Sequence, residues 1–432
     1  MVADIAVGYY EKYKEEGKMR FGHLAKSFRQ IISELIGPTF FLQKKLMERR
    51  HDIDWLRIIA ILLVLYFHTA MLFAAESGWH IKNAEQSNLW LEFNFWLSRF
   101  RMPLLFFVSG YGTFLALRKR SPWQYVKERN NRLMVPLLFA MFVVVPPQIY
   151  FERQFNGANY SSIFSFYPKV LEFIPYPAGN FSWHHMWFVL YLFVYSVVCL
   201  PLFLYIRSEK GKALATSVVA AMGNLKIALI MLPTILIGGF WAFWNPDTHD
   251  LVNDLPWHFY WCSFFVAGYL VGAVPSLWDT VELHRRKLLG LAILCITIIN
   301  FFRWNKIEPW DIEGINPAWE YLGPCILAAD AWLWLLAASG YAKRYLNKHH
   351  PVIDYANRAI YPFYVLHQTV IIAIGYYVIQ VQESILAKYL FVSTLSLIGS
   401  LVIYEYLIRP FRIARFLFGV KEIKADNTQP QT

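Results

Sequence analysis

Two residues on one apolar stretch have the types and spacing for joint chemistry. Arg57 and His68 sit at either end of Ile58-Ile59-Ala60-Ile61-Leu62-Leu63-Val64-Leu65-Tyr66-Phe67, just after the charged cluster Asp52-Ile53-Asp54. If the stretch is helical, eleven steps of about 1.5 Å separate the arginine from the histidine by ~16 Å. A neutral imidazole at that depth can act as a base, and it can equally be a core histidine bonded to a neighbouring helix. Arg129-Asn130-Asn131-Arg132 places two guanidinium groups three residues apart. On one helix face they suit bidentate phosphate binding, and they also suit headgroup contacts at a membrane surface. Arg99 and Arg101, ahead of Met102-Pro103-Leu104-Leu105-Phe106-Phe107-Val108-Ser109-Gly110, read as anion anchors or as snorkelling interface residues. Asp330, His367 and Glu405 also fall inside apolar runs, where an unpaired ionisable group is costly. Glu405 is read as structural.

The elements that must position these groups are membrane spans. The chain has 432 residues, of which 57% are hydrophobic and only 16% charged, far below the roughly one-quarter charged residues of a soluble domain. A net charge of +11 would suit nucleic acid only if the basic residues shared one face. They fall instead in short clusters between apolar runs, so no nucleic-acid partner is expected. Ten spans are expected near 55–75, 95–117, 133–150, 183–206, 225–244, 257–278, 288–304, 319–342, 360–380 and 387–408. Alternate connections and the termini hold 32 of the 41 Lys and Arg, and the opposite connections hold 6. By the positive-inside rule both termini are cytoplasmic. The expected class is therefore an all-α polytopic integral membrane protein.

Residues 1–50 read as a cytoplasmic arm, with Leu24, Phe28, Ile31, Ile32 and Leu35 forming an amphipathic surface helix. No cleaved secretory signal is expected in it. Residues 51–415 form the ten-span domain and 416–432 a cytoplasmic tail. Cys199, Cys262, Cys295 and Cys325 show no metal or paired spacing and read as small buried hydrophobes. Gly268 and Gly272 make a small-xxx-small pair suited to helix packing. The outer connections are rich in Trp, Tyr, His and Asn, including His184, His185, His249 and His258, and could line a polar acceptor site. No metal is expected, because no His-x-x-x-His pair occupies a span and His184-His185 point differently on a helix.

Four features together resemble the membrane-bound acyltransferase 3 family over about residues 50–415: Arg57 with His68, the Pro-Leu-Leu-Phe-Phe-Val-Ser-Gly run, Arg129-x-x-Arg132, and His185-Met186-Trp187-Phe188-Val189. The stretches 50–57 and 361–369 look most like a group associated with succinylation of periplasmic glucans. The resemblance implies an inner-membrane enzyme moving an acyl group, such as succinyl or acetyl, from cytoplasmic acyl-CoA to a hydroxyl of an extracytoplasmic glycan or glycolipid. It implies His68 as base or transient acyl carrier, and Arg129 and Arg132 as holders of the donor phosphates. Arg57 would contact the donor or pair with Asp54. Arg99, Arg101, His185, Trp187 and His367 are the substrate-binding candidates. The competing class is a multi-span secondary transporter or exporter, but no correspondence between two halves of the chain supports it.

Overall fold

A computed structural model describes residues 49–76, 78–307 and 320–420. The amphipathic helix expected near the N-terminus and most of the C-terminal tail lie outside the described residues. Among these, every regular element is helical. The elements are α1 (His51–Met71), α2 (Asn88–Leu117), α3 (Pro122–Phe155), α4 (Trp187–Val198) and α5 (Leu200–Arg207). They continue as α6 (Glu209–Ala221), α7 (Lys226–Phe240), α8 (Leu255–Ala273), α9 (Pro275–Asn305), α10 (Leu322–Tyr345), α11 (Pro351–Val378) and α12 (Ile385–Ile403).

All ten expected segments are occupied by helix. Eight are long and apolar enough to cross a membrane, and a ninth arises if α4 and α5, bent by 52° at Cys199, count as one span. The tenth position belongs to α8, which is 19 residues long but carries Pro256, Trp257, His258, Tyr260, Trp261 and Ser263. Those residues lower its hydropathy because α8 is packed on protein over much of its length, with Tyr260, Trp261, Phe264 and Phe265 all buried. By contrast, α9 exposes Leu291, Ile293, Leu294, Ile298 and Phe301, as an outer helix in lipid would.

Boundaries moved where local chemistry outweighs hydropathy. The Ser87 side chain accepts the Leu89 N–H and starts α2 at Asn88, seven residues before the expected 95, with Arg99 and Arg101 inside it as expected. A capping box between Ser121 and Gln124, followed by Pro122, starts α3 well before residue 133, so Arg129 and Arg132 lie within the helix. Two π-helical turns, Asn130–Met134 and Ala140–Val144, each end one residue short of a proline, Pro136 and Pro146. Proline lacks the N–H that would close the preceding turn and its ring displaces the carbonyl four residues back, so the ladder widens.

At the centre, α1 packs on α2, α10, α11 and α12, while α2 also packs on α8 and α10. The α2–α8 contact is a backbone contact. A Cβ on Gly110 would lie 1.9 Å from the Phe265 carbonyl oxygen, and one on Gly268 would lie 1.9 Å from that of Phe107. Each helix thus contributes a glycine where the other presents main chain, the packing expected of small residues in lipid. Gly268→Val should force the pair apart and cost about 1–3 kcal/mol, the range for overpacking. The measurement is the thermal midpoint of the detergent-purified protein; an unchanged midpoint would contradict this contact.

Candidate functional site

A cavity of about 1170 Å³ lies among α1, α2, the end of α3, the segment 173–187, the segment 243–261 and α11. Five of the sequence candidates, His68, Arg99, Arg101, His185 and Trp187, line it together. His367 is fully buried immediately behind His68.

His68 occupies the last turn of α1 rather than its middle. The following chain does not run off to solvent. Asn83 N–H donates to the Leu72 carbonyl (2.9 Å) and Ser87 N–H to that of Phe73 (2.8 Å), which folds residues 72–87 back over the helix end. Buried Lys388 donates to the Asn83 side chain (2.9 Å) and locks that fold. As a result the Trp79 ring lies 6.2 Å from that of His68, centroid to centroid.

The hydrogen bonds assign the tautomers. His367 Nδ1 lies 2.6 Å from the Tyr364 carbonyl oxygen, which can only accept, so Nδ1 carries the proton. His367 Nε2, left with its lone pair, lies 2.9 Å from His68 Nδ1, which must therefore donate. In this chain of neutral rings, the lone pair of His68 falls on Nε2. His185 abuts the pair edge-on, 5.3 Å from the His367 centroid, and donates from Nε2 to the Val365 carbonyl (3.0 Å).

Arg101 lies with its guanidinium carbon 3.5 Å from the centroid of Phe67, the residue next to His68. Stacking on an aromatic face keeps a guanidinium in an apolar wall while leaving its in-plane N–H groups available to an anion or a carbonyl oxygen. Arg99 lies over Phe95 at 4.7 Å and donates to Ser98 Oγ (3.2 Å). Trp187 stacks on His249 at 4.1 Å.

The other arginine candidates do not line this cavity. Arg57 donates to Asp54 (3.3 Å) and to Asn357 at the start of α11. Arg129 donates to Thr113 Oγ1 (2.9 Å), and Arg132 donates to the Gly419 carbonyl (3.4 Å) and approaches Glu128 at 3.5 Å. Arg129 is thus tied to α2, and Arg132, within the π turn Asn130–Met134, to the segment after α12. Glu405 pairs with Arg409 near Tyr355.

One part of the site had no distinguishing sequence signal. Gln368 donates to His80 Nε2 (3.1 Å) and to Gln148 Oε1 (3.1 Å), and Gln148 in turn reaches Thr369 Oγ1 (2.6 Å) and His185 Nδ1 (3.4 Å). His80 contacts Glu152, whose other oxygen accepts from Tyr176 (3.1 Å). Burial, followed by the charge and hydrogen bond of Glu152, pushes the Tyr176 phenol up to about 12, so it stays a donor. The network draws on residues 80, 148, 152, 176, 185 and 368, of which only His185 and Gln368 lay in stretches singled out from the sequence.

These features place an oriented imidazole beside an arginine-lined cavity within a bundle of membrane-spanning length. The acyltransferase domain family matches residues 50–405, and the chain belongs to that family, the acyltransferase 3 family. It is a membrane acyltransferase. Among curated relatives it is similar to Glucans biosynthesis protein C of Escherichia coli O6:K15:H31 (strain 536 / UPEC) and of Escherichia coli (strain K12). Each is 23% identical over 398 residues, covering 87% of this chain and 96% of the relative.

In this geometry His367 accepts from His68 Nδ1 and so orients the His68 ring. His367→Phe removes the acceptor for His68 Nδ1 and should lower kcat by about 10²-fold or more, the scale of acid–base catalysis, with little change in KM. His367→Gln, whose amide oxygen can accept, should recover part of that loss. Steady-state acyl transfer with both variants is the test; equal activity of the Phe variant and wild type would remove His367 from the site.

Proposed function

We propose that the protein transfers an acyl group, such as succinyl or acetyl, from cytoplasmic acyl-CoA to a hydroxyl of an extracytoplasmic glycan or glycolipid. In this reading it resides in the inner membrane with both termini cytoplasmic, and residues 51–415 form the catalytic domain. The observation that carries the proposal is the chain from the Tyr364 carbonyl through His367 to His68, which leaves the Nε2 lone pair of His68 beside Arg101 in the cavity. The name of the relatives supports a glucan-like acceptor. Aromatic faces such as Trp79, Trp187 and Trp257 in the cavity wall suit the apolar faces of sugar rings.

In the direct route, His68 Nε2 takes the acceptor hydroxyl proton as the oxygen attacks the thioester carbonyl. Arg101 stabilises the developing oxyanion. The carbon–sulfur bond then breaks, and the CoA thiolate leaves with the proton returned by His68. In the relay route, Nε2 attacks the thioester carbonyl and the carbon–sulfur bond breaks to release CoA thiolate; the acceptor oxygen then takes the acyl group as the acyl–nitrogen bond breaks, and the hydroxyl proton passes through the freed imidazole to the thiolate. Arg129 and Arg132 hold the donor phosphates, and Arg57 contacts the donor or keeps its pairing with Asp54.

His68→Ala should abolish acceptor acylation, seen as loss of the acyl mass increment on exported glycan, while the protein still inserts and purifies as a single species. Retained acylation in that variant would exclude the role given to His68. Acyl-CoA or CoA at about 100 times Kd should stabilise the wild type by about 2.7 kcal/mol. The shift in thermal midpoint should shrink in the Arg129→Ala/Arg132→Ala double variant, and no shift with any CoA species would refute the donor assignment.

A further inference from the structure

We propose that His80, Glu152 and His184 form a metal site at the wall of the cavity, taking a divalent cation of the zinc type with its open coordination position facing the cavity. The three side chains come from distant parts of the chain: the folded-back segment after α1, the last turn of α3, and the 3₁₀ turn His184–Met186. One ligand atom from each lies within 4.8 Å of the others, and all three residues line the cavity. Ligands at about 2.0–2.2 Å around a tetrahedral zinc sit ~3.3–3.5 Å apart, so side-chain movements of about 1 Å would close the site.

The orientations of His184 and Glu152 agree with this reading. His184 Nδ1 lies 2.6 Å from Ser182 Oγ, which commits that nitrogen to a hydrogen bond. Its Nε2 is buried with no hydrogen-bond partner, and its ring stacks on His80 at 4.8 Å. A buried imidazole nitrogen without a partner costs free energy in a protein interior, and a cation would satisfy it. His184 also holds φ 41, a left-handed conformation that a residue with a Cβ adopts at some cost. Glu152 gives one oxygen to Tyr176 and turns the other toward His80.

A second shell is already in place. Metal-bound histidines usually donate their other N–H to a fixed partner. Here Ser182 would serve His184 in that way, and the Gln368 amide would serve His80. Gln368 lies 3.1 Å from His80 Nε2, and an amide can present either its oxygen or its nitrogen. With Gln368 flipped, His80 Nε2 donates and Nδ1 is free to coordinate beside Glu152. Two imidazoles and one carboxylate suit zinc or a neighbouring late first-row ion rather than calcium or magnesium, which prefer all-oxygen shells. Three protein ligands leave the fourth position for water or a substrate hydroxyl. The sequence expectation of no metal rested on spacing within single spans, and a site assembled from three segments has no such spacing.

The site stands independently of the role of His68. The test uses the full-length protein in detergent, stripped with chelator, reloaded with zinc alone and desalted. Mass spectrometric metal analysis should find about one zinc per chain, with a higher thermal midpoint than the stripped form. His184→Ala and Glu152→Gln should each cut retained zinc at least about tenfold, whereas His68→Ala and His284→Ala should retain it. Should wild-type protein hold no stoichiometric zinc, cobalt or nickel, the proposal is overturned without reference to any variant. Zinc retained in full by a His184→Ala/Glu152→Gln double variant would overturn it equally.

Discussion

An imidazole moved from water into an apolar helix bundle must find hydrogen-bond partners, and the choice of partners decides what chemistry the ring can do. In this protein the partner of His68 is another imidazole, and that second ring is anchored by a backbone carbonyl within its own helix. The carbonyl can only accept, so a single invariant of main-chain geometry propagates through two rings and fixes the lone pair on His68 Nε2. No charged residue takes part in the chain. A carboxylate in the same place would orient the ring as well, but it would bring a further charge to be desolvated. The neutral pair orients His68 at lower cost.

That pair requires α1 and α11 to be held at one separation, which the surrounding packing supplies. The Gly110–Gly268 contact brings α2 against α8 at main-chain distance, and α2 in turn carries Arg99 and Arg101 along the cavity wall. Pro103, inside α2, leaves the Arg99 carbonyl without its usual intrahelical donor. The arginines therefore sit where the helix is both tightly held on one side and locally relaxed on the other. Phe67 and Phe95 then cover their guanidinium faces, which helps an apolar wall accommodate two cations.

The helical class, the positions of the segments and the candidacy of His68, Arg101, His185 and His367 were legible because each rests on a local signal, polar residues interrupting a long apolar run; that three of them share one cavity was not. The small-residue contact was legible for the same reason, as Gly110 and Gly268 stand out in their runs. What could not be read was phase and folding-back. The prolines at 136 and 146 were visible, but not the two π turns that precede them, nor that Arg129 would donate to Thr113 and Arg132 to the Gly419 carbonyl. The connection after α1 was among the aromatic-rich outer connections read as a possible acceptor lining, but the backbone bonds to Leu72 and Phe73 that turn Trp79 and His80 inward were not readable. Glu152 and Tyr176 meet only in three dimensions, so composition and spacing carry no trace of their contact.

The polar groups around the cavity form one connected set rather than separate subsites. His185 is tied to Gln148, Gln148 to Gln368, and Gln368 to His80 and so to Glu152 and Tyr176. Each amide donates and accepts, which means that reversing one amide reverses the demand on the next. A change of protonation or ligation at His80 is thereby felt at His185, which abuts His367. Removing any one member leaves its neighbours buried and unpaired, so the effects of substitutions along this path must be non-additive. The His68–His367 pair and the cluster at His80 therefore share a physical connection through His185 and side-chain amides, although their residues come from different helices and connections.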